Sequence, residues 1–424
     1  MIQFILKGIL RDKNRSLLPI IIVALGVTLT VFLRGYLAGV FQDIIRQNAR
    51  FETGHVKIMS RSYADNKEQL PIDLALLDVD QLQESLEKSY PSVEWVKRIK
   101  FGGLLDIADE KGNTKGQGPA SVMAISLFSK KSQEAERLNI KQALVGGKIP
   151  SKNGEVLIAH DFSEKLDIEI GDEITYVGST MYGSMAFQNF IVSGTVHFGT
   201  AGFDRGAVVM DISDAQTLLD MDNGATEILG YFESGQYDSE KAFEITNEFN
   251  QKHASSEDEF APEMFSLEQQ NNLGDMLAYS NYMSQIIVII LIFAMSVVLW
   301  NTGLLGGLRR YKEYGIRLAL GESKGSIYRK SIIEAILIGG MGSIIGTILG
   351  LLATYYMQEV GVDISDLMPQ SSMMIPSTLR AKMIPSQFYI GFIPGVFAMV
   401  LGNMLSGLGI YKRQTAHLFK ELEV

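Results

Sequence analysis

The stretch LLPIIIVALGVTLTVFL, residues 17–33, carries no charged side chain and is closed by Arg34. As a helix rising 1.5 Å per residue it is long enough to cross a hydrocarbon core of ~30 Å. Three further apolar runs, roughly 279–305, 332–357 and 388–410, lie in the last third of the 424-residue chain. Between the first and second spans sit roughly 230 residues of soluble-looking sequence. This 1 + 3 layout predicts one large folded domain on one side of a membrane, short loops on the other, and both termini on the same side. The apolar core of the first span exceeds the usual ~7–15 residues of a cleavable signal, and Arg34 follows it instead of a small-residue cleavage site. A retained anchor is therefore expected.

Cations decide the orientation. The N-terminal stub holds Lys7, Arg11, Lys13 and Arg15 against Asp12. The loop between the second and third spans holds Arg309, Arg310, Lys312, Arg317, Lys324, Arg329 and Lys330 against Glu313 and Glu322. Short loops rich in lysine and arginine mark the cytoplasmic face. Both termini and this loop are thus expected inside, and the large domain outside. Residues 45–275 contain 38 acidic and 21 basic residues, so the outer part is strongly acidic while the whole chain is −10.

The chain divides by these signals into nine stretches. Residues 1–16 form an interfacial amphipathic helix, with Phe4, Ile5 and Ile9 set against Lys7 and Arg11. Residues 17–44 are the first span and its stalk, and 45–275 the outer domain. Residues 276–308 are the second span, 309–331 a cytoplasmic loop, 332–357 the third span, 358–387 a short outer loop, 388–411 the fourth span and 412–424 the tail. Within the outer domain, helices are expected over 74–89, 214–221 and 239–250. Strands are expected over 53–59, 93–99, 103–108, 120–125, 156–159, 173–177 and 190–196, punctuated by turns such as Glu110-Lys111-Gly112-Asn113. In the first of these strands, His55, Lys57 and Met59 share one side and Val56 and Ile58 the other. A polar loop is expected at 253–259. The fold class is a four-helix membrane protein with a large external α+β domain.

Catalytic chemistry finds little support. Gly146-Gly147-Lys148 lacks the flanking pattern of a phosphate loop, since Ile149 follows the lysine, and reads as a turn. His55, His160, His197, His253 and His417 show no metal-ligand spacing. His160-Asp161 with Ser163 reads as a helix start, not a triad. No cysteine is present, which removes thiolate ligands and thiol nucleophiles. An acidic exterior does not suit nucleic acid.

Several stretches resemble the MacB/FtsX-type permeases of ABC transporters. Lys13-Asn14-Arg15-Ser16 is similar to that family's basic patch before the first span. Gly147, Gly154-Glu155-Val156, Leu166 and Gly171-Asp172-Glu173 follow its outer-domain signature, continued by Phe190-Ile191-Val192-Ser193-Gly194 and by Ala215, Gln216, Leu218 and Leu219. Arg310, Glu313, Gly315-Ile316-Arg317, Ala319 and Gly321 resemble its cytoplasmic motif. Thr53-Gly54-His55-Val56-Lys57-Ile58 resembles the lipoprotein-releasing LolC/LolE branch. That branch has a long proline-bearing hook where this chain has only residues 176–189, without proline, so the chaperone contact the hook implies does not carry over.

The resemblance implies a non-catalytic permease subunit in a bacterial inner membrane. It would bind no cofactor itself, with ATP and Mg on a partner. Its partners would be a cytosolic ABC ATPase dimer, a second permease copy or paralogue, membrane lipid and a lipoprotein or peptide cargo. Arg310, Glu313, Gly315, Arg317, Ala319 and Gly321 would couple to the ATPase. Gly342, Gly346 and Gly350, spaced by four, form a small-residue stripe for close helix packing, within one subunit or across a dimer. The expected function is lipoprotein release, with peptide or drug export as the alternative. A transmembrane signalling protein is the reading from another class.

Overall fold

The computed structural model describes residues 13–108, 114–129, 132–253, 258–308, 311–364 and 378–412. Most of the expected N-terminal amphipathic helix, the turn at 110–113, Arg309, Arg310 and nearly all of the tail lie outside them. The chain falls into two compact units, one built on Gln42–Ala278 and the other on the spans before and after it.

Among the described residues, four helices are long and apolar enough to cross a membrane, Ser16–Thr53, Leu273–Asn301, Lys324–Val360 and Gln387–Gly407, and their apolar stretches make up the second of these units. The first span belongs to α1 (Lys13–Asn48), which runs on through a π-helical turn, Ala49–Thr53. The fourth span is not one uniform helix. Gln387–Ile390 is a single helical turn, Ile393–Ala398 is π-helical, and only Met399–Lys412 is regular. Pro394 near the start of the π segment explains the break, because proline supplies no N–H to the ladder. Gln387, fully buried, donates from Nε2 to Val31 O at 2.9 Å and to Thr354 Oγ1 at 3.0 Å, so three spans share one amide.

The other unit is α+β. Its strands are β1 (Val56–Ser60), β2 (Val93–Ala108), β3 (Thr114–Ile125), β4 (Leu144–Gly147), β5 (Glu155–Ala159), β6 (Glu173–Ser179), β7 (Met185–Val196), β8 (Ala207–Asp211), β9 (Glu227–Phe232) and β10 (Pro262–Ser266). Six of them close on themselves in the order β2-β3-β8-β5-β7-β6 and back to β2. The first half of β2 instead pairs with β9, continuing through β1 to β10 as an open sheet. A long strand can serve both because its two ends take different partners, and the glycines between them leave room for Tyr176. A side chain at Gly103 would meet the Tyr176 ring at 2.2 Å, and Tyr176 Oη donates to Gly102 O at 2.8 Å. The two strands expected on either side of this glycine pair are thus one.

Other boundaries also moved. The helix expected over 74–89 starts at Val79 (α2, Val79–Ser89), because Leu76 pairs backbone to backbone with Ala225 and Asp78 turns the chain with a positive φ. Gly146 and Gly147 belong to the short edge strand β4, not to a turn, and Gly147 has no room for a side chain against Ser193 O. His160 does start a helix, His160–Leu166. The core joins apolar side chains of both sheets, Val56, Ile58, Trp95, Ile99, Phe101, Val122, Val156 and Phe190 among them.

Candidate functional site

Odd-numbered residues at the start of β2, Val93 and Trp95, point into the core. Even-numbered ones, Glu94, Arg98 and Lys100, face the opposite side, together with Glu227 and Tyr231 of β9 and Lys57 of β1. This second face is buried and charged, and it grips the residues that follow α1.

A helix ends with carbonyls that have no partner in the helix, and cations nearby are favourable. Past the end of α1, Gly54 N–H closes back on Ala49 O at 3.0 Å, and the other partners are side chains of the outer domain. Tyr231 Oη donates to Ala49 O at 3.0 Å, and Arg98 Nη1 donates to Arg50 O at 2.9 Å. Lys100 Nζ donates to Phe51 O at 2.8 Å and Gln270 Nε2 to Thr53 O at 3.3 Å. Gly54, with φ +60, then turns the chain into β1, and a side chain there would meet Val56 O at 2.7 Å.

The cations are themselves neutralised. Arg98 Nε lies 2.6 Å from Glu134 Oε2, and both side chains are wholly buried. Glu134 also accepts from Arg137, whose guanidinium lies 2.6 Å from Glu94 and 4.0 Å from the centre of the Tyr231 ring. Glu227 accepts from Lys57 at 2.6 Å and lies 3.3 Å from Lys100, which also reaches Glu52 at 2.9 Å. Four cations thus meet four carboxylates. Burial alone would raise the Glu134 and Glu227 pKa values; the facing arginines and lysines outweigh it and hold both below the usual carboxylate range. Lys57 is the exception among the cations, since burial outweighs Glu227 and lowers it. His55 borders the same face, its Nδ1 accepting from Phe232 N at 3.0 Å, and burial followed by the Arg137 charge lowers its pKa to about 4. We refer to this array as the joint.

Sequence reading did not find the joint. The signal was present in the alternation Lys57 against Val56 and Ile58, and again in Glu94, Arg98 and Lys100 against Val93, Trp95 and Ile99. A strand with charges on one face normally reads as solvated there. Only the fold shows that the π-helical turn covers it.

Of the residues singled out in the sequence, Arg310 lies outside the described residues. Glu313, Gly315, Arg317 and Ala319 lie on α3 (Tyr311–Ala319). Glu313 and Arg317 pair at 2.5 Å on a partly exposed face. Gly315 is buried whereas Ala319 is exposed, so the two small residues sit in different surroundings. Tyr314 is buried with Ile327 and its Oη bonds Ser331 Oγ at 3.2 Å, leaving Ile316 and Leu320 exposed. Gly321, with φ +90, ends the helix; its N–H bonds Leu318 O and the next N–H bonds Arg317 O, both at 3.0 Å.

Gly342, Gly346 and Gly350 lie on α4 (Lys324–Val360) and face α1 of the same chain. Side chains there would meet Val23, Val27 and Val31 at 2.6, 2.7 and 2.7 Å. Thr28 Oγ1 also donates to Gly346 O at 3.2 Å.

Comparison with known proteins matches residues 16–247 to the MacB-like periplasmic core domain and residues 285–415 to the FtsX-like permease C-terminal domain. Two curated relatives, the lipoprotein-releasing system transmembrane protein LolC of Xylella fastidiosa strains Temecula1 and 9a5c, are each 22% identical over 396 residues, covering 90% of this chain and 85% of the relative. A crystal structure of the periplasmic region of MacB from Actinobacillus actinomycetemcomitans aligns at TM-score 0.36 and 10% identity, over 53% of this chain and 94% of that one, too loosely to bear on the fold. With one membrane-length helix before the α+β domain in the sequence and three after it, and both family matches in their places, the chain belongs to the MacB/FtsX-type permeases, the non-catalytic transmembrane subunits of ABC transporters.

Proposed function

We propose that this chain transmits ATP-driven motion from a cytosolic ATPase dimer to its outer domain, and that the transporter releases lipoproteins from the outer leaflet of the inner membrane. The observation that carries the cargo assignment is the match to the LolC relatives along nearly the whole of both chains, outer domain and spans together. In this reading α3 seats in a groove of the ATPase. Ile316, Ala319 and Leu320 form its apolar contact, flanked by the Glu313–Arg317 pair. A second copy or paralogue completes the permease. The joint holds the end of α1, so displacement of that helix is passed to the sheet and not lost in a slack linker.

Depletion of the chain tests the cargo. Outer-membrane lipoproteins should accumulate in the inner-membrane fraction of a density gradient. Normal sorting, together with sensitivity to a peptide or drug, would replace this reading with the export alternative. That alternative has its own support, because β6 and β7 are joined by a tight turn, Thr180 N to Ser184 O at 2.7 Å, where the lipoprotein-releasing branch has its hook.

Orientation is part of the proposal: termini and α3 cytoplasmic, outer domain periplasmic. Ser255→Cys should be labelled by an impermeant thiol reagent from the periplasm and Ser323→Cys should not. The reverse pattern would invert the scheme.

A further inference from the structure

Beside the joint, within the outer domain, lies a cavity of about 540 Å³. That is within the usual size for a small-molecule or peptide site, about 300–1,000 Å³. Its apolar walls are Ile45, Phe232 and Tyr237; its charges are Arg46, Arg50 and Arg137 against Glu94, Glu136 and Glu233, with Arg137 already paired to Glu94.

Arg50 is the unusual member. Its guanidinium is half-buried, and among the described residues no carboxylate lies within ion-pair distance of it. The partner it has is neutral: the Asn139 side-chain oxygen accepts from Nη1 at 3.2 Å, once the amide is turned so that its nitrogen donates to Glu136 O. Burial, and then the neighbouring Arg46 charge, make the charged form less favourable than for a free arginine. Arg46, itself exposed, pairs with Asp43 at 3.2 Å, and the Asp43 charge offsets only a small part of the cost at Arg50. The contrast with the joint is sharp, because every cation there faces a carboxylate of this chain. A desolvated charge without a counter-charge is costly, and an incoming anion relieves that cost.

We propose that this cavity binds a peptide segment that presents a carboxylate to Arg50 and an apolar side chain to Phe232 and Tyr237. The rim favours a peptide over a simple anion. Glu136 and Glu233 stand exposed around the opening beside Gln133 and Gln236, where they can accept from peptide N–H groups or a basic side chain. Those same carboxylates would repel an inorganic anion of high charge. The site goes beyond the transport reading, since it would operate whatever the cargo. Occupancy would be felt at the end of α1, because Arg50 offers its side chain to the cavity and its carbonyl to Arg98 at 2.9 Å.

The test uses the full chain in nanodiscs and saturation-transfer difference NMR. The probes are N-acetylated tripeptides with one aromatic residue and a free C-terminal carboxylate, each paired with its carboxamide, and glycerophosphoethanolamine as a lipid-headgroup mimic. The carboxylate forms should bind, and their carboxamides should bind about tenfold more weakly or worse, the size of one charge-assisted hydrogen bond. Arg50→Gln should produce the same loss and Arg50→Lys a smaller one. Arg46→Glu sets a carboxylate one helical turn from Arg50 at an exposed position, and should weaken binding by a similar factor without needing Arg50 itself to change. No binding by any tripeptide, equal binding of acid and amide, or binding untouched by both Arg50→Gln and Arg46→Glu would overturn the proposal. Binding of glycerophosphoethanolamine alone would overturn it in favour of a lipid-headgroup site.

Discussion

Arg98 with Glu134 and Arg317 with Glu313 are the same chemical pair in opposite settings. The first is wholly buried at 2.6 Å and belongs to a closed set of charges that holds the end of a helix. The second, at 2.5 Å, keeps roughly a third of each side chain in solvent, on a short helix whose outward face carries Ile316 and Leu320. Buried charges are fixed by their partners, and losing one leaves the others stranded. Exposed charges can exchange a partner on the same chain for one on another protein. The joint is thus built to stay formed, whereas the α3 pair could change partners, as the proposed coupling role requires. Mutations that treat the two pairs alike should separate them.

The largest difference is expected from truncation. Glu134→Ala leaves Arg98 buried without its counter-ion and should destabilise the outer domain by about 3–5 kcal/mol, whereas an exposed pair is worth about 0–1 kcal/mol. Chemical denaturation of the full chain, followed by Trp95 fluorescence, reads the first number. A loss below about 1 kcal/mol would show that water reaches the pair and that the joint is not dry.

Acid probes the joint next. His55 has its pKa lowered from 6.5 to about 4, so as pH falls through that interval the unfolded chain takes up a proton that the folded one refuses. Stability should decline across this window by roughly 3 kcal/mol, and His55→Gln should flatten the slope. Glu134 and Glu227, both held below the ordinary carboxylate range, contribute stability at neutral pH that is lost at still lower pH. An unchanged slope in His55→Gln between pH 6.5 and about 4 would show that His55 is not held neutral in the folded joint.

The two regions also differ in how far they could be read from sequence. The spans were legible because apolarity over a helix length is a local property, and α3 because its residues follow a family motif. The glycine stripe was legible as a packing surface, but not its partner, since Gly342, Gly346 and Gly350 meet Val23, Val27 and Val31 more than 300 residues away. In the outer domain β8 and β9 escaped notice. They are buried on both faces, which erases the alternation that marks a half-buried strand. The joint depends on Arg98 meeting Glu134 and Lys57 meeting Glu227, pairings that only the strand order creates.

The stripe gives a third test of intermediate size. Gly346→Leu would drive a side chain into Ala24 O and Val27 and should cost about 1–3 kcal/mol, measured by steric trapping in bilayers. Val27→Ala in the same chain should recover part of it. No cost would mean that α1 and α4 pack differently when the partner subunits are present.

The smallest effect on stability, and the one that most sharpens the comparison, is expected on α3. Ala319 is exposed, so Ala319→Trp adds bulk facing water and should leave folding and membrane insertion within about 0.5 kcal/mol of the parent. Gly315, on the buried side, is no equivalent site, and a tryptophan there would test packing instead. If α3 seats in an ATPase groove, Ala319→Trp should abolish co-purification of the ATPase or its cargo-stimulated turnover despite that stability. Arg317→Glu breaks the ion pair and reverses a charge at the same surface, so its effect should be stronger at low salt, where exposed charges are least screened. Glu134→Ala should do the converse, leaving the ATPase bound while weakening the outer domain. Should Ala319→Trp and Arg317→Glu both keep full association and turnover, α3 is a basic loop with an incidental ion pair, and coupling must be sought elsewhere on the cytoplasmic face.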